Sequence, residues 1–330
     1  MAPQIPLVSL KDGRKIPAIG MGCWIGTPGG GQRVYDYCSK AIKVGYRHFD
    51  TAAGYGNEAQ VGKAIRDSGI PREEFFVTTK LGNGDHGRVS EAFEESFKNL
   101  DIDYVDLYLI HWPQAIKPKD GHGWIGEAIP PDQSPTFVET WKNMEKLLDT
   151  NKVKSIGVSN FSVKNLGILL PHCTIVPATN QIEAHPYLPN HELKAYCDGK
   201  GIPLTAYSPI EPAAPAGQPR SDVPLGLLEN PTIRNIADKF KVDTAQVLIS
   251  WAIQRGTIAI PKTENEGRMV TNITLITLPD EDMEVINNIH RNPGMHRPLI
   301  NGVHNEDGKA FGWTYEQLGW NMTTGGIVPQ

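Results

Sequence analysis

Tyr46–Gly69 reads "YRHFDTAAGYGNEAQVGKAIRDSG", and its period changes halfway. "YRHFDT" is a short run suited to a strand. From Asn57 onward, Val61, Ala64 and Ile65 recur at the spacing of one helix face. Between the two, an acid, Asp50, ends the apolar run, and Tyr55 stands on a loop between Gly54 and Gly56. The same unit recurs along the chain. Strand-like runs appear at "IGMGCW", "FFVTTK", "VDLYLIHW", "KSIGVSN", "TNQIEAHP", "PLTAYSP" and "TIAIPKT". Stretches such as "YDYCSKAIKVG", "SEAFEESFKNL", "TFVETWKNMEKLLDT" and "TAQVLISWAIQRG" carry the helical period. Strand then helix, about eight times over, is the signature of a (β/α)8 barrel. A doubly wound open sheet would want a G-x-G-x-x-G turn after its first strand, and "GTPGGGQ" at Gly26–Gln32 lacks that spacing.

The expectation is therefore α/β: one (β/α)8 TIM barrel domain over residues 1–330, entered through a β-hairpin that turns at Asp12-Gly13. Three Pro- and Gly-rich segments exceed simple connections: Pro113–Pro135, Glu211–Asn230 and the tail from about Arg291 to Gln330. Two of them follow strands, which puts them on the C-terminal face, where barrel enzymes carry their active sites.

Composition narrows the partners. Hydrophobic residues at 39% and charged residues at 21% fit a folded globular chain, and a formal net charge of −5 with no Lys/Arg run argues against nucleic acid. No segment approaches the apolar length of a membrane span, and Met1–Leu10 lacks a charged n-region before an apolar h-region, so no membrane role and a cytoplasmic location are expected. Cys23, Cys38, Cys173 and Cys197 show no C-x-x-C spacing, which suits free thiols. His185 and His191 with Glu183 match no common ligand pattern, and no metal is expected.

The strand ends carry the chemistry: Asp50 with Tyr55 beyond it, Lys80, His111, Ser159 and Asn160, Gln181, Tyr207, and Lys262 with Thr263. Any one of these is as well explained by the general polarity of strand ends. An Asp, a Lys and a His at the ends of consecutive strands are harder to explain so, because a barrel makes them converge on one pocket and buried charges need partners. A tyrosine, with an ordinary pKa of about 10, is a poor acid near neutrality unless a cation stabilises its phenolate. Lys80, held by Asp50, would be that cation, and His111 would donate to a substrate oxygen. The set suits carbonyl reduction, in which negative charge builds on oxygen as hydride reaches carbon.

These residues, in order with "GYRHFDTAAGYGNEAQVGKAI", "TTKL", "VDLYLIHWP", "IGVSNF", "NQIEAHPYL", "AYSP" and "IPKT", resemble the aldo-keto reductase superfamily, in the branch of the aldose and aldehyde reductases and of fungal glycerol dehydrogenases. The resemblance covers nearly the whole chain. It implies that Asp50, Tyr55, Lys80 and His111 are the catalytic tetrad and that NADPH lies across the top of the barrel, with NADH left open as a second donor. It assigns Gly22, Cys23 and Trp24 to the cofactor cleft; Ser159, Asn160 and Gln181 to the carboxamide; Tyr207 to stacking on the nicotinamide; and Ser208, Pro209 and Ile210 to the pyrophosphate clasp. Lys262, Thr263 and Arg268 fall on positions that grip the 2′-phosphate, with Asn272 near adenine. Trp24 and Trp112 line the substrate pocket, and one of Trp313, Tyr315 and Trp320 in the tail closes it, with Trp313 named as the third wall.

Departures from the family pattern are Gly82, where relatives often carry Trp, Glu211 and Pro212 in the clasp, and Thr271 in place of an adenine-contacting Glu. Glu264 and Glu266 either repel a phosphate or serve the dipole of the helix that follows. The function implied is NADPH-dependent reduction of small sugar-like or aromatic aldehydes, and of ketones, by a monomeric protein. The alternatives are oxidation of an alcohol such as glycerol and a non-catalytic NADPH-binding accessory role.

Overall fold

A computed structural model describes residues 5–119, 126–210, 225–300, 303–304 and 307–329. Eight strands form one sheet: β1 Met21–Gly22, β2 His48–Asp50, β3 Phe76–Leu81, β4 Val105–Ile110, β5 Val153–Ser159, β6 Asn180–Glu183, β7 Leu204–Tyr207 and β8 Ile258–Ala259. Each pairs in parallel with the next in sequence, as in the register Asp50↔Thr78, Lys80↔Leu109 and Gln181↔Thr205. The two edges then meet. Gly20 N donates to Ala259 O at 2.9 Å, Ala259 N to Ala18 O at 2.8 Å, and Gly22 N to Pro261 O at 3.1 Å. Gly22 is required at this seam, since a Cβ there would sit 2.8 Å from Ile260 O.

Helices α1 Gly31–Val44, α2 Glu58–Asp67, α3 Val89–Leu100, α4 Phe137–Leu147, α5 Val163–Leu169 and α6 His191–Lys200 follow the first six strands in turn. α7 Pro231–Phe240 and α8 Thr244–Gln254 both follow β7, and α9 Glu266–Asn272 with α10 Asp280–Asn287 follow β8. α4 begins with a capping box in which Thr136 and Glu139 satisfy each other's backbone donors.

The two-residue period of the strands decides what stands over what. Phe76, Thr78 and Lys80 share one face of β3, and Leu107 and Leu109 share the face that leads to His111. At the lower end Phe76, Leu107, Leu109 and Ile258 pack with Leu10 and Ile16 of the entry hairpin, Leu7–Ser9 against Lys15–Pro17, which closes that mouth with apolar surface. The polar residues on the same rows are therefore lifted to the opposite mouth.

Two of the segments read as long loops contain structure. Ile116–Pro118 pairs antiparallel with Gly126–Ala128, and in the tail Lys309–Ala310 pairs with Trp313–Thr314 ahead of a single turn, α11 Tyr315–Leu318. Glu211 and Pro212 lie outside the described residues. Among the described residues no helix is long and apolar enough to cross a membrane.

Candidate active site

Strand β2 ends at Asp50 and β3 carries Lys80, and the parallel register brings the two side chains together inside the barrel. Lys80 Nζ donates to Asp50 Oδ1 at 2.5 Å and to Thr51 O at 2.8 Å, and stands 3.5 Å from Tyr55 Oη. Both charges are buried, Lys80 completely. Tyr55 reaches in from the turn after β2, with the Trp24 ring 5.0 Å away on one side and the His111 ring 5.7 Å away, edge-on, on another. The four residues expected to converge do so.

Their titration follows from burial first. Burial alone would push Lys80 down, but Asp50 and Tyr55 together outweigh it and hold the ammonium above its ordinary value. His111 is driven well below the usual histidine range by burial and then by the Lys80 charge, so it is a neutral imidazole at neutral pH. Tyr55 departs from the sequence argument. Burial raises its hydroxyl, and Lys80 pulls it down without reversing the shift. Burial is the larger influence, and the Asp50 charge adds to it. Tyr55 is thus a protonated donor whose phenolate Lys80 makes less costly.

A second polar chain runs beside the first. Tyr207 Oη donates to Asn160 Oδ1 at 2.7 Å, and Asn160 Nδ2 donates to His111 O at 2.9 Å and to Ser159 Oγ at 3.1 Å. Ser159 Oγ donates to Gln181 O at 2.7 Å, and Gln181 Nε2 donates to Asp50 Oδ2 at 2.6 Å. Asn160 and Ser208 both sit at positive φ, 65° and 48°, which turns the chain sharply at the strand ends. The Gln181–Asp50 bond has no signal in the sequence. It occupies the second oxygen of the carboxylate that holds Lys80, so Gln181 fixes the orientation of Asp50. Pro209 and Ile210 follow Ser208, with Ile210 half-buried against the core.

Just past β1, Cys23 N donates to Asp50 O at 2.8 Å, continuing the β1–β2 ladder, and Tyr37 Oη donates to Cys23 O at 3.1 Å. Cys23 and Cys38 are buried thiols, and all four cysteines are free. Lys262 lies over the Tyr37 ring at 5.6 Å, next to Gly22. Thr263 Oγ1 accepts from Arg268 Nε at 3.3 Å, so Lys262, Thr263 and Arg268 form one group. Asn272 is buried, and its Oδ1 has no hydrogen-bond partner among the described residues.

Two expectations need correction. Glu264 precedes α9, whose N-cap is Asn265, so the dipole reading applies to Glu266 alone; Glu264 accepts instead from Lys262 and Arg33. Trp313 is a packing residue, buried with its indole N–H donating to Ile129 O at 2.7 Å. The tail rings that meet Trp112 are Phe311, at 4.7 Å, and Trp320, at 6.3 Å. Glu183, His185 and His191 also separate: His185 Nε2 lies 3.0 Å from Glu183, while His191 Nε2 lies 3.2 Å from Asn287 O.

Comparison with known proteins agrees with this geometry. The model of the aldo/keto reductase family matches residues 18–291. The chain is 43% identical over 302 residues to the glycerol 2-dehydrogenase (NADP(+)) of Saccharomyces cerevisiae, covering 88% of this chain and 93% of that protein. It is 41% identical over 304 residues to aldose reductase B of Dictyostelium discoideum, covering 88% and 94%. The crystal structure of a Bombyx mori aldo-keto reductase in complex with NADP superposes with a TM-score of 0.77 at 37% identity, covering 86% of this chain and 92% of that one. With the family model spanning all eight barrel strands, the chain belongs to the aldo/keto reductase family.

Proposed function

We propose that this protein reduces aldehydes to alcohols with NADPH, Tyr55 giving the proton. The observation that carries the reading is the buried Asp50–Lys80 pair with its ammonium 3.5 Å from Tyr55 Oη, next to an imidazole kept neutral. Lys80 stabilises the negative charge left on Tyr55 when its proton departs, and in a dry site that stabilisation is far stronger than in water. His111, uncharged, offers a hydrogen bond to the carbonyl oxygen without competing as an acid.

The donor set fits a nicotinamide dinucleotide. Ser159, Asn160 and Gln181 present hydroxyl and amide groups on adjacent strand ends, Tyr207 supplies a ring beside them, and Asn272 Oδ1 is an acceptor without a partner among the described residues. Lys262 and Arg268 flank Thr263 in a manner suited to a phosphate. The cofactor, when bound, supplies hydride; the chain's part is to hold the carboxamide at Asn160 and Gln181, exclude water with Trp24 and Trp112, and deliver the proton from Tyr55.

The substrates in this reading are small sugar-like aldehydes such as glyceraldehyde together with aromatic aldehydes and ketones; the space expected at Gly82 is not open, since a Cβ there would meet Asp85 Oδ2 at 2.8 Å. The same residues run in reverse would oxidise an alcohol such as glycerol with NADP+, Tyr55 then taking the proton; the activity for which the yeast relative is named favours that direction as a second reading. A purely accessory role is disfavoured, since a chain freed from catalysis need not keep all four tetrad residues. The reading includes a cytoplasmic monomer, which gel filtration and cell fractionation test. The decisive assay follows NADPH absorbance with a panel of aldehydes, wild type beside Tyr55→Phe. Turnover lost in the variant while NADPH binding persists is expected. If neither protein turns over any aldehyde and both bind NADPH, the reductase reading fails.

A further inference from the structure

Glu264 is out of place in a site suited to a phosphate. Lys262, the cation such a site relies on, donates its ammonium to Glu264 Oε1. Arg33, in the first turn of α1, closes on the same carboxylate in fork geometry, Nε 2.9 Å from Oε2 and Nη2 2.6 Å from Oε1. The hydrogen bond from Arg33 is the largest influence holding the Glu264 carboxyl down at about 2, so it is fully ionised at neutral pH. Arg268 is also at hand, its Nε 3.3 Å from Thr263 Oγ1. Lys262 and Arg33 thus share the Glu264 carboxylate, while Arg268 donates to Thr263, and the carboxylate already occupies Lys262.

We propose that Glu264 sets the cofactor discrimination of this protein by competing with the adenosine 2′-phosphate for Lys262, and that Arg33 tunes the competition by drawing the carboxylate toward itself. The inference rests on the reading that Lys262, Thr263 and Arg268 receive that phosphate. A carboxylate opposes a 2′-phosphate by charge, yet it accepts readily from a 2′-hydroxyl, which is how acidic residues recognise the unphosphorylated ribose in other folds. Glu264 therefore narrows the preference for NADPH over NADH that the cations would otherwise impose. Arg33 is a positioning residue: without it, the whole negative charge would fall on Lys262.

The test is titration calorimetry on the full-length protein with two probes that differ only in the 2′-phosphate, adenosine 2′,5′-bisphosphate and adenosine 5′-monophosphate. Glu264→Gln should tighten the bisphosphate roughly fivefold, the scale of one charge pair at a partly exposed site, and weaken the monophosphate slightly, since a neutral amide oxygen accepts less strongly from its 2′-hydroxyl. Arg33→Met should weaken the bisphosphate by a similar factor, and that loss should vanish in the Glu264→Gln background, since Arg33 acts through Glu264. The ratio of KM values for NADPH and NADH should move in the same direction. If wild type prefers the bisphosphate and Glu264→Gln leaves that preference unchanged or lowers it, the inference is overturned while the cofactor reading stands. If neither protein prefers the bisphosphate, both fall together.

Discussion

Asp50→Asn removes one charge and almost no volume, which makes it a direct probe of the site. In the native protein Asp50 Oδ1 accepts from Lys80 and Oδ2 accepts from Gln181 Nε2 at 2.6 Å. An asparagine that turns its oxygen to Lys80 must turn its NH2 toward the Gln181 NH2, donor against donor. Lys80, fully buried, keeps only Thr51 O at 2.8 Å and the Tyr55 hydroxyl at 3.5 Å. Removing one partner of a buried pair costs about 3–5 kcal/mol, because the other charge is left uncompensated. The variant can relieve part of this by releasing the Lys80 proton, and that fixes the sign of the pH dependence. In wild type the Lys80 pKa is raised on folding, so its contribution is intact below the unfolded value of about 10.5 and is lost only as pH rises through the folded value. In the variant, burial is unopposed by Asp50 and takes Lys80 below 10.5. Its deficit is therefore largest at neutral pH and shrinks as pH climbs toward 10.5. Denaturant unfolding followed by far-UV circular dichroism, at pH 7 and pH 9.5 for both proteins, reads this out. A loss under about 1 kcal/mol at pH 7, or one that stays constant at pH 9.5, would refute the account of Lys80 as a cation held by Asp50.

Acid should destabilise the fold through buried imidazoles: burial holds His48 and His86 neutral down to about 4, whereas unfolded histidine takes a proton near 6.5. Their contribution is present above 6.5 and is lost as pH falls, by about 2 kcal/mol each at pH 5; a urea midpoint that does not move between pH 7 and pH 5 contradicts this. Gly62→Ala sets helix propensity against packing, a gain of about 1 kcal/mol in α2 opposed by a Cβ only 1.8 Å from Leu100 O. The clash is with backbone and should win, giving a net loss of about 2 kcal/mol or more by thermal or chemical unfolding. Trp313→Ala and Trp320→Ala should separate stability from specificity. The first should cost about 3–5 kcal/mol in unfolding, while the second should chiefly change the ranking of aromatic against small aldehydes by kcat/KM.

What could be read from the chain depended on whether the determining contact was local. Lys80 and His111 were legible because a strand alternates its side chains and a barrel gathers its strand ends, so a residue type at the end of a run is already a residue in the pocket. Glu264 was not legible: its partner Arg33 lies 231 residues away, brought there when the barrel closes β1 against β8, and no spacing within either segment signals the meeting. The paired strands at Ile116–Pro118 and Gly126–Ala128 were hidden for a different reason, since a Pro- and Gly-rich composition reads as loop although each strand needs only three residues. Tyr55 shows the limit most clearly. The cation beside it was inferred from residue type, but the direction of its pKa was set by burial, which depends on Trp24, His111 and the closed barrel around them. The sequence of strand ends names the groups proposed to react. Burial within the closed barrel sets their protonation, and on the reading proposed above, variation at Arg33, Glu264 and Trp320 retunes cofactor and substrate choice while the four central residues stay as they are.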